Sequence, residues 1–273
     1  HQNDTAASDG RLLEVLQHED TGVLVFQLIS TAQIERLNLT PLLLIRDDTG
    51  WAISPGVTTN GNFEKMEEAK QERQTEVHRR FEEQKEELVR RATADLQNRF
   101  VKAGPPEGAI VEREEAEQLV RKFRSLLREG KLLESFACGA LLDPEKGVWD
   151  ALKSMSYEYR GTKQATAADR EVHVQAGRSW AAVSLRVDSG QGGAPDYPMY
   201  LVVATREGPR IVVDIGLRLA TNKGREVLNG RVWKRVEAQL GEKESALVRS
   251  LFEGHVERSK SDLAEWVKTN KSK

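Results

Sequence analysis

The 273-residue chain reads as an α+β protein in which antiparallel sheets pack with helices and a partial tandem duplication is joined by a long charged helix. Three observations carry this reading. Runs rich in β-branched and aromatic residues, such as "GVLVFQLIS", gather in two separate regions. Between them, the stretch from Asn62 to Phe100 has neither proline nor glycine and is dominated by charge. Finally, "PLLLIRDDTGWAISPGVTTN" at 41–60 has an echo at 198–222, "PMYLVVATREGPRIVVDIGLRLATN".

From Arg11 to Val57 the pattern predicts four strands, at 12–17, 22–30, 41–46 and 51–57, the last two around the turn "RDDTG". Asn62 then offers a helix N-cap. Phe81, Leu88, Ala92, Leu96 and Phe100 recur at spacings of seven and four, one face of a helix over 62–101. Glu86–Arg90 and Glu87–Arg91 are spaced for i,i+4 pairs worth roughly 0.2–0.5 kcal/mol each. The clean heptads of a coiled coil are missing, so the helix is expected to connect two domains.

"KAGPPEGAIV" at 102–111 reads as a linker, because consecutive prolines stop a helix and extend the chain. The domain boundary is expected there, leaving a β-rich unit at 1–61 and a second domain at 112–222. In the second, "EEAEQLVRKFRSLLREG" places Ala116, Leu119, Val120, Phe123, Leu126 and Leu127 on one helical face, closed by Gly130. "KLLESFACGALL" continues as helix, and Asp143-Pro144 opens a short one carrying Val148, Trp149 and Leu152. Five strands are expected next: "SMSYEYRG", "EVHVQ", "SWAAVSLRVDS", "PMYLVVATRE" and "RIVVDIGLRLA". The remainder, 223–273, is helical in pattern.

The two β-regions can be aligned. Ser30 falls on Ser189, Gly50 on Gly208, Gly56 on Gly216 and Asn60 on Asn222, with the small drift that turn insertions produce. A shared order of strands, turns and trailing helix points to duplication, with the helical half of the first copy expected either upstream of His1 or lost.

Composition excludes several function classes. With 41 basic and 43 acidic residues the chain has no basic stripe, which argues against nucleic acid as partner. No apolar run approaches the ~20 residues of a transmembrane helix. Cys138 is the single cysteine, so no disulfide forms within the chain, and its "SFACGALL" setting is that of a small apolar packing residue. His1, His18, His78, His173 and His255 show no metal-ligand spacing, and neither a metal nor a cofactor is expected. "SGQGG" at 189–193 joins strands and opens no helix, so it is a hairpin connection, not a phosphate cradle. Sequons begin at Asn3, Asn38 and Asn270. The polar opening "HQNDTAASDG" suits a processed, exported protein, and a periplasmic or secreted location is expected.

The helix "AEQLVRKFRSLLREGKLLESF", the Trp149 helix and the hairpin "YPMYLVVATREGPRIVVDIGLRL" resemble the nuclear transport factor 2-like superfamily, which includes ketosteroid isomerase-like proteins. The resemblance covers about 111–220, with a partial repeat at about 11–60 in which "DDTGWAI" is the matching turn. It implies a helical hairpin packed into a strongly curved antiparallel sheet, a cone that often encloses a pocket. Enzymes of the superfamily need an ionisable residue inside that cone, so the polar strand residues Tyr157, Tyr159, His173, Ser184, Tyr200 and Asp214 come into question. Four are the catalytic candidates. Alternation puts Tyr157 and Tyr159 on one face, turns His173 away from the core, and sets Asp214 beside Arg218 as a solvated or edge pair. The expected function is therefore an exported, non-enzymatic binding or assembly protein that uses two cone-like domains to bind a protein partner or itself. The alternative is an isomerase- or dehydratase-like enzyme, or a binder of a small apolar ligand, with its pocket in the second domain.

Overall fold

In a computed structural model the described residues are 9–18, 21–29, 38–48, 50–53, 68–104, 108–164, 169–188, 193–214 and 230–270. The chain is α+β and divides into two compact units, His1–Leu96 and Gln97–Lys273.

In the first unit β1 (Asp9–His18), β2 (Thr21–Ile29), β3 (Asn38–Asp47) and β4 (Gly50–Ile53) form an antiparallel meander. All four expected strands are present; 54–57 and the expected helix start at 62–67 lie outside the described residues. Helix α1 (Glu68–Arg99) buries Phe81, Leu88, Ala92 and Leu96 of the predicted stripe, and Val77 one turn ahead of it. Arg91 reaches β1 and pairs with Glu14 at 2.9 Å. The expected Glu86–Arg90 pair is not made: the Arg90 guanidinium turns to Glu87, three residues back, where its fork takes both carboxylate oxygens at 2.6 and 2.7 Å.

The second unit carries a six-stranded, curled sheet in the order β5-β6-β10-β9-β8-β7. Its strands are β5 (Val101–Lys102), β6 (Gly139–Leu141), β7 (Asp169–Ala176), β8 (Trp180–Val187), β9 (Met199–Thr205) and β10 (Gly208–Val212). β7 to β10 form an antiparallel meander, while β6 runs parallel to both β10 and β5. The division between units falls ahead of the expected 102–111 linker. Lys102 pairs with Leu141, the Ala103 amide donates to the Leu141 carbonyl at 2.9 Å, and the Val111 amide donates to the Arg178 carbonyl at 2.9 Å. Both ends of that segment are thus part of the second unit.

Helices cover the sheet on both faces. On one lie α2 (Arg113–Arg128) and α4 (Gly147–Gln164), with the short α3 (Leu132–Ser135) between them in sequence. α2 buries Ala116, Val120, Phe123, Arg124 and Leu127, and Gly130 at φ 75° ends it as expected. The opposite face (Trp180, Ala182, Met199, Leu201, Val203 and Val212) packs with α5 (Gly230–Leu240) and α6 (Glu242–Asn270). Because strand residues alternate, β8 and β9 can bury both of their faces.

One expected strand is a helix. "SMSYEYRG" belongs to α4, which buries Ala151, Met155, Tyr159 and Thr162 at helical spacing. Tyr157 and Tyr159 therefore do not share a face: Tyr157 is 49 % exposed and Tyr159 4 %.

The two meanders agree where the sequence echo lies. Asp47 pairs with Gly50 and Thr205 with Gly208, so both hairpins have two-residue turns closed by a glycine at positive φ, 122° and 98°. Each first strand also has an irregularity against its neighbour, between Leu12 and Glu14 and between Arg170 and His173. Residues 189–192 of the "SGQGG" connection and Arg218 lie outside the described residues.

Candidate functional site

Strand register builds the floor of a cleft. His173, Ser184 and Met199 form one row across β7, β8 and β9, and Gln175, Ala182 and Leu201 form the next. α6 forms the wall. Its buried stripe runs Ser245, Val248, Phe252, His255, Ser259, changing from apolar to polar as it leaves the core. Between floor and wall is a cleft of about 420 Å³ lined by His173, Arg186, Met199, Leu251, His255 and Arg258, among others. That volume lies in the range of small-molecule sites, about 300–1,000 Å³.

His255 is the buried member, 6 % exposed. Its Nε2 lies 3.2 Å from the Tyr197 carbonyl, which can only accept, so this nitrogen carries the proton. Burial pushes its imidazole pKa below the usual value; the Tyr197 carbonyl opposes this, while Arg258 and His173 add to it and Asp262 works against it. The cleft's hydroxyls are committed to main chain. Ser259 Oγ donates to the His255 carbonyl at 2.7 Å, and Ser184 Oγ contacts the His173 carbonyl at 3.5 Å. Each serine thus faces a histidine's backbone, not its ring.

The helix-covered interior on the sheet's other face is filled. There Arg124, 1 % exposed, donates to Glu158, to the Tyr200 hydroxyl at 2.8 Å and to Asp169 at 3.0 Å. Arg128 also pairs with Asp169, and Thr162 Oγ1 donates to Glu158 at 3.2 Å. Burial weakens Arg124's hold on its proton, but Tyr200, Glu158 and Asp169 outweigh it and keep the guanidinium above its ordinary range. Burial likewise pushes the Tyr200 phenol well up. Only about 30 Å³ remains open among Phe123, Ser154, Met155, Glu158, Tyr200 and Ile211, room for a water and not for a substrate.

The four sequence candidates therefore separate. His173, exposed as expected, lines the cleft. Tyr157 faces solvent and Tyr159 packs in the interior; neither borders a cavity described above. Asp214 is not solvated: at 2 % exposure its Oδ2 accepts the Leu142 and Asp143 amides at 2.9 Å each. Arg235 stands 4.0 Å away and joins Asp143 at 3.1 Å. The carboxylate ties the end of β10 to the loop before α4, where Gly147 comes so close that a Cβ would meet Asp214 Oδ2 at 2.7 Å. Burial pushes the Asp214 pKa up, against the pull of the Asp143 and Leu142 amides. Cys138 is buried and its thiol is pushed up by burial, away from nucleophile chemistry.

Sequence reasoning missed His255 and Arg124, and both had a signal. Each is a charged or titratable residue at a position that helical spacing assigns to a buried stripe. Among the described residues, no group of three or more His, Cys, Asp or Glu is placed to hold a metal, and no helix is long and apolar enough to cross a membrane. No protein-family model, curated protein or solved structure matches the chain.

Proposed function

We propose that this protein is a non-catalytic binding protein whose second unit holds a small ligand in the cleft between β7–β9 and α6. The observation that carries this reading is the cleft itself, about 420 Å³, in which Ala182, Met199 and Leu251 supply apolar surface beside a few convergent polar groups. Its serines hydrogen-bond to main-chain carbonyls, and the buried His255 donates its Nε2–H to the Tyr197 carbonyl, so among the described residues of the cleft no nucleophile is paired with a base. The likeness to the nuclear transport factor 2-like superfamily is supported by α2 and α4 on one face of a curled antiparallel meander.

The test uses N-phenyl-1-naphthylamine, a neutral apolar fluorophore. Saturable one-to-one binding is expected, and Leu251→Trp, which fills the cleft without adding charge, should abolish it while leaving the melting temperature near wild type. Binding that survives Leu251→Trp in a folded variant overturns the site. Ester hydrolysis of p-nitrophenyl acetate that disappears in His255→Gln overturns the non-catalytic reading.

A further inference from the structure

We infer that the cleft selects a small amphipathic organic anion, its apolar body on Ala182, Met199 and Leu251 and its acidic head at Arg258. This rests on the reading of the cleft as a binding site and adds the class of ligand. The chain as a whole is slightly acidic, with a formal net charge of −2, yet this cleft is not. It is lined by Arg186, Arg258, His173 and His255, against Asp262 as the one carboxylate in the lining.

The two arginines differ. Arg186 on β8 leans toward Asp188, whose Oδ1 is 3.2 Å from its Nε and which Arg170 shares at 3.3 Å. Arg258 on α6 has no hydrogen bond or ion pair among the described residues, and Asp262, one turn on, is not within salt-bridge distance. A guanidinium at the rim of a partly apolar cleft offers a planar fork of donors suited to a carboxylate, sulfonate or phosphate.

The buried imidazole sits in the field of these same groups. The charged groups acting on His255 are Arg258 and Asp262 from its own helix and His173 from β7, with Arg186 of β8 lining the same cleft. Arg258 and His173 both disfavour its protonation, and Asp262 only partly compensates. An anion seated at Arg258 would oppose the effect of that guanidinium and favour protonation of the ring. The floor is continuous with the apolar core, since Ala182 and Met199 belong to the same buried cluster as Trp180 of β8 and Phe252 of α6. An ion with no apolar body would leave that floor uncovered.

The full chain is titrated with two fluorophores that share an aromatic body: 1-anilinonaphthalene-8-sulfonate and the neutral N-phenyl-1-naphthylamine. Arg258→Gln is expected to weaken the sulfonate about tenfold, the size of one charge-assisted hydrogen bond, and to leave the neutral dye unchanged. Decanoate should displace the sulfonate, and its binding should raise the His255 imidazole pKa followed by NMR. If Leu251→Trp abolishes both dyes while Arg258→Gln weakens neither, the cleft binds but the anion inference is wrong. If both dyes still bind to folded Leu251→Trp, the cleft is not the site and both readings fall.

Discussion

His255 shows how one buried side chain makes stability depend on pH. Its imidazole is buried and held below its ordinary value near 6.5, so the unfolded chain takes up a proton that the folded chain refuses. The stability contributed by the neutral ring is present above about pH 6.5 and is lost as pH falls through the folded value. Urea melts between pH 7.5 and 5 should show the wild type losing stability on acidification, at most about 1.4 kcal/mol per pH unit for this one proton. His255→Gln keeps a donor for the Tyr197 carbonyl and should flatten the slope; an unchanged slope would sink the assignment. Asp214 acts in the opposite sense. Burial raises its carboxyl, so its contribution is fully present below the unfolded pKa and is lost as pH rises through the folded one. The difference between wild type and His255→Gln cancels that background.

Elements are joined here by a polar contact that sequence periodicity alone does not display. Arg124 on α2 reaches Glu158 on α4, Asp169 at the start of β7 and Tyr200 on β9. Replacing it with Met leaves Glu158 and Asp169 buried with their main cation gone, a change expected to cost about 3–5 kcal/mol. Adding Glu158→Gln should restore part of the loss, and denaturant melts of the single and double variants measure the coupling. Costs that simply add would mean the two residues do not act together. The same helix marks the limit of what was legible. Met155, Tyr157 and Tyr159 alternate like a strand, while Ala151, Met155, Tyr159 and Thr162 step like a helix, and a short run satisfies both patterns. Packing against α2 decides for the helix. The stripes of α1 and α2, the strands around each hairpin and the turn glycines Gly50 and Gly208 were readable, because each depends on local spacing or local backbone conformation. The cleft was not. It depends on strand register bringing His173 to Ser184 and Met199, and on a helix some eighty residues later in the chain closing over that row.

On the scale of the whole molecule, the boundary between units follows hydrogen bonds and not prolines. The last turn of α1 belongs to the second unit: Gln97 Nε2 donates to the Pro144 carbonyl at 2.8 Å, and the Phe100 ring packs 4.7 Å from Phe136. β5 then extends the sheet beside β6, and the Val111 amide is bound by the Arg178 carbonyl. A fragment beginning at Gln97 keeps all of these contacts. One beginning at Glu112, just past the proline segment, loses the sheet's edge strand and a phenylalanine that is only 6 % exposed. Removing a buried Phe side chain costs about 3–5 kcal/mol, and each kcal/mol moves the midpoint by about 2–4 °C in a domain of this size. The Gln97 fragment is therefore expected to unfold in one cooperative transition, and the Glu112 fragment to melt about 6–20 °C lower. Calorimetry of the two decides the matter: equal midpoints would return the boundary to the 102–111 segment and make Phe100 part of a connector, not of the core.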